Sequence, residues 1–105
     1  MPEIDVCPLD ELPPGTVHIV AVRPLLTIGV YNCDGELFAL EDRCSHDDGP
    51  LCEGEFDCVE RVAVCPRHGA RFDIATGRAL TLPAYIAVET YSVRVRVDGM
   101  VVVEA

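Results

Sequence analysis

Two short cysteine–histidine pairs constrain this chain more than any other feature of its sequence. The first pair is Cys44 and His46, with one residue between them, and the second is Cys65 and His68, with two. Eighteen residues separate the pairs. Because thiolate sulfur is a soft ligand and imidazole nitrogen a borderline one, the four groups suit zinc or an iron–sulfur centre. The fold must therefore bring two loops to one metal site.

The order of the ligands helps to choose between these metals. Zinc modules usually pair Cys with Cys and His with His, whereas each pair is mixed here. Two matching mixed loops can hold a binuclear cluster, with both sulfurs on one iron and both nitrogens on the other. Gly49 and Gly69, which follow the pairs, permit tight loops. This order favours an iron–sulfur cluster and leaves a structural zinc module open.

Composition limits the size and the partners of the protein. At 105 residues, half of them hydrophobic, the chain is expected to form one domain. Its net charge is −10, and every basic residue is Arg, which argues against nucleic acid or an anionic membrane as partner. Residues 41–60 hold eight acids against one base, Arg43. This stretch is either a solvated loop or a docking rim beside the metal site.

The expected bonding state of the remaining cysteines depends on the cellular compartment of the protein. The N-terminus has no basic region followed by an apolar run, and no stretch approaches the roughly 18–20 apolar residues of a membrane span, so we expect a cytoplasmic protein without a membrane partner. Cysteines in that compartment are more often ligands and buried thiols than disulfides. Cys7 and Cys33 are therefore interpreted as small core or turn residues. Cys52 and Cys58 could pair, but free thiols are favoured.

Short hydrophobic runs with hairpin turns predict an all-β protein. Asp34-Gly35 and Asp98-Gly99 are hairpin signals. In the run 89–97, alternation places Val97 on the same face as Tyr91. Short apolar runs predict strands at 6–8, 17–22, 25–31, 37–40, 59–64, 89–97 and 100–103. The expected architecture is an antiparallel β-sandwich or small barrel.

The two pairs, with Gly69 and the run Ala70-Arg71-Phe72-Asp73 after the second, resemble the Rieske [2Fe–2S] family. The resemblance covers nearly the whole chain, including the turn that contains Pro83. It implies that Cys44 and Cys65 bind one iron and that His46 and His68 bind the other. It also implies one Rieske domain, residues 1–105, in which a cluster-binding subdomain of two ligand loops (about 42–84) stands on an antiparallel base (about 1–41 and 85–105).

Departures from the family pattern bear on the reduction potential. Respiratory Rieske proteins have a bridging cysteine in each ligand loop, and the resemblance places Gly49 and Arg67 of this chain at those positions. They also have Ser and Tyr hydroxyls near the cluster, at positions occupied here by Ala70 and Phe72. Fewer donors stabilise the reduced cluster less. The resemblance therefore implies a potential at the low end of the Rieske range, roughly −150 mV.

The resemblance also implies a function. Beyond the two pairs the chain has one further histidine, His18, which is expected at the surface. It has no Gly-rich nucleotide fingerprint, so we expect an electron carrier that catalyses nothing alone. The implied partners are a flavin-containing ferredoxin reductase and a terminal aromatic-ring oxygenase, and a carrier that must undock is expected to be a monomer. A small Rieske-like subunit of an assimilatory nitrite reductase is the alternative.

Overall fold

The computed structural model describes residues 3–45, 49–67, 69–82, 84 and 86–105. His46, His68 and Pro83 therefore lie outside the described residues. A 3-10 turn spans Leu9–Glu11. The strands within the described ranges are β1 Glu3–Pro8, β2 Thr16–Arg23, β3 Leu26–Cys33, β4 Glu36–Glu41, β5 Phe56–Asp57, β6 Val62–Val64, β7 Arg71–Asp73, β8 Thr90–Val95 and β9 Met100–Glu104.

These strands form two antiparallel sheets. The larger sheet has the order β1-β9-β8-β4-β3-β2, and the smaller has the order β5-β6-β7. The two edge strands of the larger sheet, β1 and β2, approach each other, so this sheet is close to a barrel. The smaller sheet belongs to the excursion between β4 and β8, which are themselves paired. The predicted all-β antiparallel class is confirmed.

Hairpin geometry explains one confirmed prediction and one error. Asp34 and Gly35 have φ values of 57° and 95°, as a two-residue turn between β3 and β4 requires. The β8–β9 connection has four residues, 96–99, and the Gly99 amide closes it by donating a hydrogen bond to the Arg96 carbonyl. Val97 is fully exposed in this turn, so its predicted position on the face of Tyr91 is wrong.

The strand predicted at 59–64 is also partly wrong. Only Val62–Val64 is extended, because residues 58–61 form a turn in which Arg61 has a φ of 57°. The two-residue strand β5, which precedes this turn, was not predicted from the sequence. A strand of two residues is too short to show the alternation of apolar and polar residues that predicts a strand.

Two apolar clusters support the two parts of the molecule. One lies within the larger sheet and is built from aliphatic residues such as Ile28, Val30 and Val101. The other lies between the smaller sheet and the end of β4, around Leu40 and Phe72. The second cluster contains both Cys44 and Cys65. The predicted sulfur ligands are thus packed into a core rather than displayed on a solvated surface.

The cysteines require a correction. Cys33 and Cys58 form a disulfide, so the expectations of an unbonded Cys33 and of a free Cys58 are both wrong. Cys7 and Cys52 are buried free thiols, as expected. The pairing was missed because the two partners are 25 residues apart in sequence and meet through the packing of the two sheets.

Candidate metal centre

The first ligand loop begins where β4 ends. The amide of Cys44 donates a hydrogen bond of 2.7 Å to the carbonyl of Gly49, five residues further on. This bond closes a short loop between Cys44 and Gly49. Cys44 is therefore fixed at one side of a narrow loop, three residues after the last residue of β4.

The second ligand loop has the same closure. The amide of Cys65 donates a bond of 2.8 Å to the carbonyl of Ala70, again five residues further on. The amide of Gly69 donates back to the Cys65 carbonyl at 2.9 Å. Gly69 has a φ of 73°, which residues other than glycine adopt only at a cost in free energy. Because the loop connects β6 to β7, the pairing of Val64 with Arg71 closes it from outside.

The carboxylate of Asp42 holds the first loop from outside. Its Oδ1 accepts bonds from the amides of Leu51 and Cys52, at 2.9 and 2.7 Å. This clasp brings the chain after the loop back to the end of β4. Cys52 then packs on Gly29 of β3, where a Cβ would lie 2.5 Å from the Cys52 sulfur. Sequence reasoning missed this role for Asp42, which it counted only as one charge among eight.

The two loops meet at Gly54. A Cβ built at this glycine would lie 2.1 Å from the Val64 carbonyl oxygen and 2.9 Å from Cδ of Pro66. The chain returning from the first loop therefore passes directly against the start of the second. Real Cβ atoms do not approach a backbone oxygen this closely, so the juxtaposition of the loops requires glycine here.

The described residues between Leu80 and Ile86 contact the two loops on another side. Near the start of this segment, the Leu80 amide donates to the Arg71 carbonyl, and the Arg71 amide donates to Oγ1 of Thr81. At its end, the hydroxyl of Ser45 donates to the carbonyl of Ile86. We call these residues the bridging segment, because they are bonded to both loops. The predicted shielding role of Pro83 falls within this segment but outside the described residues.

The chemistry of the described donors fits an iron–sulfur cluster. Cys44 and Cys65 are 0% and 1% exposed, and the disulfide found among the described residues uses neither of them. An apolar setting of this kind strengthens thiolate–metal bonding by excluding water. Burial raises the pKa of the nearby Cys52 thiol to about 12, so Cys52 remains protonated and is a poor ligand. Two cysteine sulfurs on two matched loops are thus presented from one core.

Ala70 and Phe72 follow the second loop and are both fully buried. Neither side chain carries a hydroxyl group that could donate a hydrogen bond to a cluster. The prediction of a low reduction potential assumed that these two positions donate no hydrogen bond to the cluster, and their placement agrees with that assumption. The potential itself stays a prediction.

The acidic stretch divides into structural and exposed members. Glu41 pairs with Arg43 at 3.0 Å, and Asp42 forms the clasp described above. Asp57 accepts bonds from the amides that follow β5. Asp57 is nevertheless exposed, and the other exposed acids among the described residues of this stretch are Glu53, Glu55 and Glu60. Two of them, Glu53 and Glu55, line a surface depression of about 460 Å³ that also reaches Cys65 and Pro66.

The family follows from these loops and from a direct comparison. Residues 3–92 match the model of the Rieske [2Fe-2S] domain. The chain belongs to the Rieske family. The match covers both ligand loops and β1 to β7.

Named relatives are ferredoxins. The 3-phenylpropionate/cinnamic acid dioxygenase ferredoxin subunit of Photorhabdus laumondii is 41% identical over 99 residues, which cover 94% of this chain and 90% of that protein. The ferredoxin of carbazole 1,9a-dioxygenase from Nocardioides aromaticivorans IC177 superposes with a TM-score of 0.89, at 29% identity, over 98% of this chain and 97% of that one.

Two further solved structures bear on partners. A chain in the complex of reduced oxygenase and oxidized ferredoxin of carbazole 1,9a-dioxygenase has a TM-score of 0.88 and 31% identity, over 96% of this chain and 91% of that one. A putative NADH-dependent nitrite reductase small subunit from Mycobacterium tuberculosis has a TM-score of 0.81, over 96% of this chain and 92% of that one. At 19% identity, the second likeness shows a shared fold alone.

The protein is therefore a Rieske ferredoxin, an electron-transfer component rather than an enzyme, with one [2Fe–2S] cluster of the Rieske type. The structural zinc module considered above is set aside on this ground. In the part of the chain that the structure describes, no helix is long and apolar enough to cross a bilayer.

Proposed function

We propose that this Rieske ferredoxin carries single electrons from a flavin-containing reductase to a terminal aromatic-ring oxygenase. The observation that carries the proposal is the 41% identity to a dioxygenase ferredoxin subunit over nearly the whole chain. The second support is the likeness to a ferredoxin that forms a complex with its oxygenase.

We assign the ligands as Cys44 and Cys65 on one iron and His46 and His68 on the other. When bound, a Rieske cluster takes up and releases one electron, and its neutral imidazole ligands raise its potential above that of an all-Cys cluster. The described residues support the sulfur half of this assignment, because Cys44 and Cys65 share one core and lie at the same position of equivalent loops. The imidazole half rests on the ligand motif.

The partners would dock on the face formed by the ligand loops and the bridging segment. On this face Leu82 and Ile86 are 79% and 55% exposed, although both are large and apolar. Exposed apolar side chains rimmed by charge are typical of transient protein interfaces. Glu53 and Glu55 provide such a rim beside Cys65, so a partner with a basic surface would be steered toward the cluster.

The deciding experiment is a direct transfer measurement. The holoprotein, reduced by dithionite, is mixed anaerobically with the oxidised terminal oxygenase of a 3-phenylpropionate dioxygenase system, and reoxidation is followed by absorbance. We expect reoxidation that slows as ionic strength rises, because the docking is steered by charge. Transfer instead to a sirohaem-containing nitrite reductase subunit, with none to the oxygenase, would establish the alternative function.

The ligand assignment has its own test. Each of Cys44→Ser, Cys65→Ser, His46→Ala and His68→Ala should abolish the Rieske EPR signal of the reduced protein, whereas His18→Ala should retain it. If the variant at one of these four positions kept the wild-type signal and iron content, the residue at that position would not be a ligand.

The remaining expectations stay predictions: a cytoplasmic location, a monomer, and a base of residues 1–41 and 85–105 beneath a cluster-binding subdomain of 42–84. The end of β4 at Glu41 and the start of β8 at Thr90 support that division.

A further inference from the structure

The disulfide joins the two sheets of the molecule. Cys33 is the last residue of β3 in the larger sheet, and Cys58 directly follows β5 in the smaller sheet. Their Cα atoms are 5.1 Å apart, a normal separation for a disulfide. Because β5 pairs with β6, and β6 leads into Cys65, the cross-link ties the second ligand loop to the base.

The two sulfur-bearing residues differ in their access to solvent. Cys33 is 2% exposed, whereas Cys58 is only half-buried. Cys58 also lines two surface clefts of about 470 and 410 Å³, which share Glu55 and Phe56. Cys58 packs partly against the core, but it is the more accessible of the two cysteines.

Non-covalent contacts bridge the same junction. Arg61, in the turn after Cys58, forms an ion pair with Glu36 of β4. Its guanidinium lies 5.1 Å from the centre of the Phe38 ring. The rings of Tyr31 and Phe56 meet edge to face, with centres 4.9 Å apart. Opening the disulfide would therefore leave the two sheets in contact, which is the condition for a reversible reaction.

We propose that the Cys33–Cys58 pair is an exchange site for low-molecular-weight thiols, attacked at Cys58. A thiolate attacks Sγ of Cys58, the sulfur–sulfur bond breaks, and the bonding pair leaves on Sγ of Cys33, which takes up a proton. A second thiolate then attacks the small-molecule sulfur of the mixed disulfide and releases Cys58. Overall, two small thiols are oxidised to their disulfide while the protein disulfide is reduced, and a small disulfide reverses the reaction.

The charges around Cys58 set which thiols react fastest. Glu55 lines both clefts and Asp57 lines one, while Arg71 provides the cation of the second cleft. Glu60 and Arg61 follow in the same turn, and Arg61 is already paired with Glu36. Acids therefore predominate in a chain that already carries a net charge of −10, and a cationic thiol is favoured over an anionic one.

The test uses the holoprotein with cysteamine as the cationic thiol and mercaptoethanesulfonate as the anionic one. We expect intact mass spectrometry to show one cysteamine adduct, which peptide mapping places on Cys58. Rates normalised to thiolate concentration should be higher for cysteamine, and Glu55→Gln should narrow the difference. An adduct on Cys33, or a disulfide that resists both thiols until the protein unfolds, would overturn the proposal.

A matched pair of variants measures access directly. In Cys33→Ser the remaining Cys58 thiol should react with cystamine at least about tenfold faster than the Cys33 thiol does in Cys58→Ser, because access limits exchange. Both variants are compared only where the cluster absorption and circular dichroism match those of the wild type. Cys52→Ser, which removes a buried thiol outside the pair, should leave exchange unchanged. Equal rates in the two variants would contradict attack at Cys58 even if the wild type reacts.

Discussion

The two ligand loops share one closing bond but are supported in different ways. In each loop a cysteine amide donates to the carbonyl five residues further on. The second loop is the connection of the β6–β7 hairpin, so backbone pairing holds its ends. The first loop follows a single strand, and its ends are held by the carboxylate of Asp42. The first loop should therefore depend on particular side chains, and the second mainly on its backbone.

The largest effect is expected where the two loops touch. Gly54→Ala would place a Cβ 2.1 Å from the Val64 carbonyl oxygen, and backbone cannot move aside as a side chain can. We expect a loss of about 3 kcal/mol of unfolding free energy and a reduced iron content, measured by denaturant titration and metal analysis.

Gly69→Ala is the matched control for that variant. Its Cβ would meet nothing within 4 Å, so only the positive φ of 73° is penalised, by about 1 kcal/mol. Equal losses for the two alanine variants would mean that the loops are not pressed together at Gly54.

An intermediate effect is expected at the clasp. Asp42→Ala leaves the amides of Leu51 and Cys52 without their acceptor and should cost about 2 kcal/mol. Asp42→Asn keeps an oxygen acceptor and should recover most of the stability and the cluster content. The readouts are thermal unfolding and the EPR signal of the reduced protein. If the Asn variant fails as badly as the Ala variant, the charge of Asp42, rather than its acceptor, is what matters.

The smallest effect is expected at the bridging segment. Ser45→Ala removes the hydroxyl that donates to the Ile86 carbonyl and should cost about 0.5–1 kcal/mol. The second loop contacts the same segment through Leu80 and Thr81, and Thr81→Val removes the acceptor of the Arg71 amide. Comparable small losses in the two variants, seen as lowered melting temperatures, would show that the segment supports both loops alike. A large loss of stability in only one of the two variants would show that the bridging segment supports only the loop next to that substitution.

The predictability of each feature follows from how local its determinants are. The Asp34-Gly35 hairpin was predicted because two residues with positive φ are specified by local chemistry. The ligand loops were predicted because their motif is short and chemically specific. The Cys33–Cys58 pair and the clasp of Asp42 were not, because each depends on residues that only tertiary packing brings together. The alternation of apolar residues wrongly predicted that the strand continues to Val97. The strand β8 ends at Val95, so the turn begins before the hydrophobic pattern ends.

The pairing of β4 with β8 also bears on the order in which the molecule assembles. Ala39 pairs with Tyr91 and Leu40 with Thr90, although the entire ligand-carrying excursion separates them in sequence. The entropy of closing a long excursion grows only slowly with its length, by about 0.6 kcal/mol per doubling. We therefore expect the base to form before the loops are ordered, which would give iron and sulfide a folded platform on which to assemble. Hydrogen exchange of the apoprotein should then show protected β3 and β9 amides while those of residues 49–67 exchange freely.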